Sequence, residues 1–322
     1  MNNKLNILAK RQLFKQQVIN DLAWVIASPG LLNSDHHYVL NNEQCQKFYE
    51  DIENRLIEWD THSETLPKQL SAPRPYVGDY FENLIAFWLK NRKGIEQFNQ
   101  RQTVFENKRT LGEFDFLFHH TQLQKSFHWE VAIKYYLYYE SGGDAIFYGP
   151  NSRDRLSIKV DKMFNQQILL SKQLAAKCII EQYPTPICPQ ILLKGYLFYP
   201  SHKLNSDKFN IPDYISSSHL RGWWSYANDP VIPKHHVDSQ WFILNKPHWL
   251  AIPRQPKSLL DYNSLQDIIR VHFNRSQKPL FLAEVMQNSD GEYLETSRGF
   301  IVPNNWPKSQ GFANKEKTNS QF

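Results

Sequence analysis

Residues 111–118, LGEFDFLF, and residues 127–134, FHWEVAIK, flank a short polar turn and read as two neighbouring strands. Alternation with a period of two puts Glu113, Asp115, Leu117 and His119 on one side of the first strand. Phe114, Phe116 and Phe118 take the other side and face a core. In the second strand His128, Glu130, Ala132 and Lys134 share a face, and Phe127, Trp129, Val131 and Ile133 share the opposite one. Both strands carry carboxylates where a solvated face needs only Ser or Thr. Asp115 and Glu130 are therefore either a solvated sheet face or a site.

Outward from this pair, a strand is expected over residues 95–105, and an aromatic run continues the second strand to Tyr139. Upstream, apolar residues at helical spacing predict helices over 10–27, 42–59 and 76–90, with a proline-rich connector at 66–75. In the third helix Glu82 lies between Gly78 and Ala86, so a carboxylate sits on a face that another backbone can approach. Burial there requires a cation or another partner. Downstream, Asn151 or Ser152 caps a long amphipathic helix over 153–178, with Arg155, Lys159, Lys162 and Gln166 on a face apart from its apolar stripe. A strand follows at 190–199. Residues 200–239 read as a long loop holding the cluster Arg221-Gly222-Trp223-Trp224, whose tryptophans are either buried or stacked on unpaired bases. A strand within 241–253, a helix over 264–273 and a hairpin pairing 279–287 with 293–302 complete the ordered part.

At 322 residues the chain is long enough for a substantial core, and its net charge of +5 permits a polyanionic partner without requiring one. Cys45, Cys178 and Cys188 lack disulfide-framework or zinc-ligand spacing, so a reducing, cytoplasmic setting is expected. The run LAWVIASPGLL is too short to span a bilayer, and neither export nor a membrane anchor is expected. His119-His120 and His235-His236 read as loop residues, and His128 as a packing residue.

The order helix, three strands, helix, strand resembles the PD-(D/E)xK nuclease superfamily, with a Glu in the first helix, G-E-x-D on one strand and Glu130 followed by Lys134 on the next. The segments Gly78 to Glu82, HWEVAIK, GPNSRDR, LRGWW and RGFIVP are together similar to an uncharacterised bacterial domain-of-unknown-function family grouped with that superfamily. The resemblance implies an α/β restriction-endonuclease-like core at 71–200. An N-terminal helical segment (1–70), a C-terminal mixed β-containing extension packed on the core (201–306) and a disordered tail (307–322) flank it.

Phosphodiester hydrolysis needs a hard divalent cation, Mg²⁺ or Mn²⁺, held by a few oxygens. Paired positions on adjacent strands lie about 5 Å apart at Cβ, so Asp115 and Glu130 can share one ion. The Val131 carbonyl can add a further oxygen, and the resemblance puts Glu82 near the same ion. The superfamily's lysine lies two residues after the acid, where this chain has Ala132. Lys134 is on the correct face but about 13 Å along the strand from Glu130, and Lys159 or Arg155 from the next helix are the substitutes. Arg153, Arg155, Lys159 and Lys162 are the expected contacts to nucleic acid. The expected function is metal-dependent cleavage of DNA. Its rivals are a nucleic-acid-binding or protein-interaction module without turnover, and an enzyme acting on a smaller phosphorylated substrate.

Overall fold

The computed structural model describes residues 14–62, 70, 76–204, 209–252, 256, 258–289 and 291–307. The chain begins with helices α1 (Gln17–Ala27), α2 (Asn42–Glu50), α3 (Glu53–Thr61) and α4 (Val77–Asn91). The meander β1 (Ile95–Glu106), β2 (Arg109–His120), β3 (Lys125–Ser141) and β4 (Asp144–Tyr148) follows, then α5 (Leu156–Lys162) and β5 (Ile187–Pro200). The remainder is β6 (Leu220–Tyr226), β7 (Gln240–Ile243), α6 (Tyr262–Arg275), β8 (Leu280–Gln287) and β9 (Tyr293–Val302). Among the described residues, nine strands form one mixed sheet in the order β1-β2-β3-β5-β6-β9-β8-β7, with β4 paired to β3.

Alternation in β3 sorts the two faces as the sequence predicts. Phe127, Trp129, Val131 and Ile133 enter the large core with α1 to α4, whereas Ala132, Tyr136 and Tyr138 meet Leu156, Val160 and Met163 from the α5 side. The same division continues across β5, β6, β8 and β9, where α6 covers the second face through Leu265 and Ile269. Every strand of the parallel centre is thus buried on both sides, as such strands must be. The sheet is continuous from the expected core into the expected extension. No helix among the described residues is long and apolar enough to cross a membrane.

Several expectations need correction. Alternation in β2 fails at its start: Phe114 packs with Leu117 and edge-on to His128, on the face opposite Phe116 and Phe118. The helix expected over 42–59 is two, interrupted where Asp51 caps α2. The segment 153–178 is not one helix. After Lys162 it widens into a π turn, Met163–Gln167, and then passes through short 3₁₀ turns. Its N-cap is Arg155, without a side-chain cap, so Arg153 and Arg155 precede the helix instead of opening it. The expected loop contains β6, a strand between β5 and β9, and Trp223 and Trp224 are buried in it. His119 and His120 end β2 and are buried. Residues 10–13, most of the 66–75 connector and nearly all of the tail lie outside the described residues.

Candidate functional site

The edge of β3 that faces β2 is incompletely paired. The β2 ladder covers Lys125 to Trp129, and β4 covers Leu137 to Ser141. Between them, Glu130, Ala132, Lys134 and Tyr136 stand along a gap in the sheet. At its mouth the Val131 N–H, which has lost its strand partner, donates to Asp115 Oδ2 at 2.9 Å. The carboxylate therefore replaces a ladder acceptor, which explains why a polar side chain is tolerated there.

Glu130 is fully buried. Its Oε1 is 2.8 Å from His128 Nε2, and its Oε2 accepts from Gln167 Nε2 at 2.7 Å. Lys159 Nζ donates to Gln167 Oε1 at 3.0 Å, which ties the amine of α5 to the carboxylate through one amide. The π turn makes this possible. Ile168 N–H donates to Met163 O, and the extra residue in that turn brings Gln167, not Gln166, into line with Lys159.

The electrostatics follow from the crowding. Burial and the neighbouring Glu130 push Asp115 up to about 8, and Glu82 adds to the rise while Lys159 opposes it. Burial likewise pushes Glu130 to about 8 against the pull of Lys159. Burial lowers His128 to about 4, so its imidazole is neutral, and its buried Nδ1 has no hydrogen-bond partner. Burial and Lys134 lower Lys159, while the two carboxylates partly restore it. The site is a proton-retaining acid pair with one half-buried amine beside it.

The other expected residues are engaged elsewhere. Glu82 accepts both Nε and Nη2 of Arg101, which also reaches Asp79. The cation required by that helical carboxylate is therefore Arg101. Lys134 Nζ donates to Asp154 Oδ2 at 2.5 Å, and Tyr136 donates to the same oxygen. Arg155 lies over the Tyr148 ring, Arg153 and Lys162 are exposed, and Glu113 accepts from Thr103 at the surface. Among the described residues no three His, Cys, Asp or Glu side chains form a metal-ready cluster, so Glu82, Asp115 and Glu130 are not a closed three-carboxylate site. Two carboxylates still suit Mg²⁺, which keeps several waters and borrows oxygens from substrate.

A family model described as a domain of unknown function, DUF1853, matches residues 20–302, the span that holds the entire sheet. The chain belongs to the DUF1853 family. No curated protein and no solved structure matches it. In this DUF1853 domain, sequence reading singles out Asp115 and Glu130, with Lys159 only as a substitute for Lys134, and does not name Gln167, Arg101 or Asp154 as their neighbours. Gln167 depends on a π turn that helical spacing does not announce. Arg101 and Asp154 are distant in sequence from the residues they hold.

Proposed function

We propose that this DUF1853 domain is a metal-dependent nuclease whose reactive centre is Asp115, Glu130 and Lys159. One observation carries the reading: a half-buried amine from α5 stands beside the buried Glu130 and half-buried Asp115 carboxylates, although Lys134, the nearer lysine in sequence, is committed to Asp154. The order α4, β1, β2, β3, β4, α5, β5 is compatible with a restriction-endonuclease-like core, as a helix, three-strand, helix, strand arrangement with one added strand, β4, paired to β3.

Asp115 and Glu130 would hold the divalent cation, Mg²⁺ or Mn²⁺, which would replace the proton that the pair otherwise retains. When bound, the cation supplies Lewis acidity toward a phosphodiester and activates water. His128 and Gln167 fix the Glu130 carboxyl from two sides. Lys159 offers positive charge where a phosphorane would develop, and a group aimed at developing charge is commonly worth about 10²–10³ in rate. Lys134 contributes to the fold.

The rival reading, a nucleic-acid-binding module without turnover, has its own support, because both Glu130 oxygens already accept hydrogen bonds. Cleavage of circular, linear and single-stranded DNA and of RNA, with Mg²⁺ or Mn²⁺, separates the two. Asp115→Ala and Lys159→Ala should abolish metal-dependent cleavage, and Lys134→Ala should retain it. Cleavage that survives Asp115→Ala, or wild-type protein inert on every substrate, removes the nuclease reading.

A further inference from the structure

β7 and β9 are both antiparallel to β8 and so point the same way, and the chain leaves both at one edge of the sheet. Ligands of open sheets settle outside such carboxyl ends. Here the segments after β7 and β9, the approach to β8 and the loop before α5 enclose a cleft of about 970 Å³. Its aromatic floor, including Trp249, Phe281 and Phe300, belongs to the core layer of α4, on the face of the sheet opposite Glu130. This is a second place, separate from the carboxylate pair.

Arg153, Lys246, Arg275 and Lys278 line this cleft, all exposed and none paired with an acid among the described residues. Among the described residues no Asp or Glu lines it. The cleft differs in this from exposed cations that acids answer locally, such as Arg101 by Asp79 and Glu82, and Lys203 by Glu140. Lys246 Nζ sits 4.9 Å over the Trp249 ring. That indole is held in place because the Trp249 carbonyl accepts from Tyr135 OH and Arg298 Nη1, while its Nε1 donates to Leu244 O.

We propose that this cleft binds single-stranded nucleic acid, with phosphates against the four cations and a base against Trp249. Unpaired cations select a polyanion, and the fixed, half-buried indole, with Lys246 over its ring, offers a base an aromatic contact beside a cation. The assignment stands on the cleft's own residues and does not require turnover at Asp115 and Glu130.

The test is fluorescence anisotropy of a labelled oligothymidylate with the full chain in EDTA, across a salt series. Arg153→Ala/Arg275→Ala/Lys278→Ala should flatten the slope of log K against log salt by about 2, at roughly 0.7 per lost phosphate contact. Trp249→Leu should weaken binding about tenfold with the slope unchanged. Lys47→Ala/Lys90→Ala/Lys177→Ala removes the same charge from exposed sites elsewhere and should leave the slope as it is. Equal loss in both triple variants, no binding by wild type, or a duplex bound as tightly as the single strand overturns the proposal. Binding lost only in the cleft variants of a protein that cleaves nothing retains the cleft and removes the nuclease. Cleavage that needs Asp115, with binding indifferent to the cleft variants, does the reverse.

Discussion

Replacing Asp115 by Asn should stabilise the metal-free protein, and increasingly so as pH rises. Burial holds the Asp115 and Glu130 pKa values at about 8, against ordinary values of 3.8 and 4.5, and the Glu130 charge adds to the rise of Asp115. Between pH 5 and 8 the folded state therefore retains a proton that the unfolded state has released. Stability falls as pH climbs through that window and levels off above the folded pKa. Each pKa unit is worth 1.36 kcal/mol, so each retained proton over three pH units amounts to about 4 kcal/mol. Asn keeps an acceptor for the Val131 N–H and has no charge to bury, while Glu130, raised by its own burial, still titrates. Urea denaturation in EDTA from pH 5 to 8 measures the effect. Wild type should lose stability across the range, and Asp115→Asn should lose about half as much and be the more stable at pH 8. Parallel curves for the two proteins would refute the reasoning.

Glu284 should show the opposite sign. Its burial opposes ionisation, but His235 Nδ1 and N–H, Ser239 and Ser297 all donate to it and draw its pKa to about 2. Its contribution is present above pH 4.5 and disappears as pH falls toward 2. Glu284→Gln should cost about 3 kcal/mol at pH 7 and little at pH 2, read from denaturation midpoints. Gly195→Ala should prevent soluble expression or cost more than about 4 kcal/mol. Gly195 has φ of +137°, and a Cβ there would lie 1.7 Å from the Lys134 carbonyl oxygen. Mg²⁺ at a hundred times its Kd should raise wild-type stability by about 2.7 kcal/mol at pH 8, with no gain for Asp115→Asn; calorimetric melting checks both.

The legible parts of the sequence were those where one physical rule acts alone. Residues 127–137 alternate because both faces of β3 are covered, by α1 to α4 on one side and α5 on the other, so period and burial agree. The Asp-Gly hairpin between β8 and β9 follows from turn chemistry as directly. Legibility failed where two rules compete. Phe114 left its expected face where β2 parts from β3 and Asp115 turns in to take the Val131 N–H. LRGWWSY looks like a loop cluster because Gly222 and polar neighbours interrupt it, yet Gly222 is small because Phe198 lies where its Cβ would stand. In the candidate site, alternation singled out Asp115 and Glu130. Which lysine accompanies them was decided by Asp154, from a loop whose fold-back on Lys134 no local pattern encodes.

The placement of β6 has a consequence for how the chain emerges during synthesis. Trp223 Nε1 donates to Ser297 Oγ across 74 residues, and the Trp223 ring fills the space that a side chain at position 299 would need. Until β9 has been made, β6 has nothing to close against, and the parallel centre of the sheet presents an open, apolar edge. Long-range parallel pairing of this kind is slow, and an unclosed edge rich in aromatic residues invites association with other chains. A polypeptide stopped between β6 and β9 is therefore an adhesive intermediate rather than a smaller working protein, and its safe passage depends on the last strand arriving promptly.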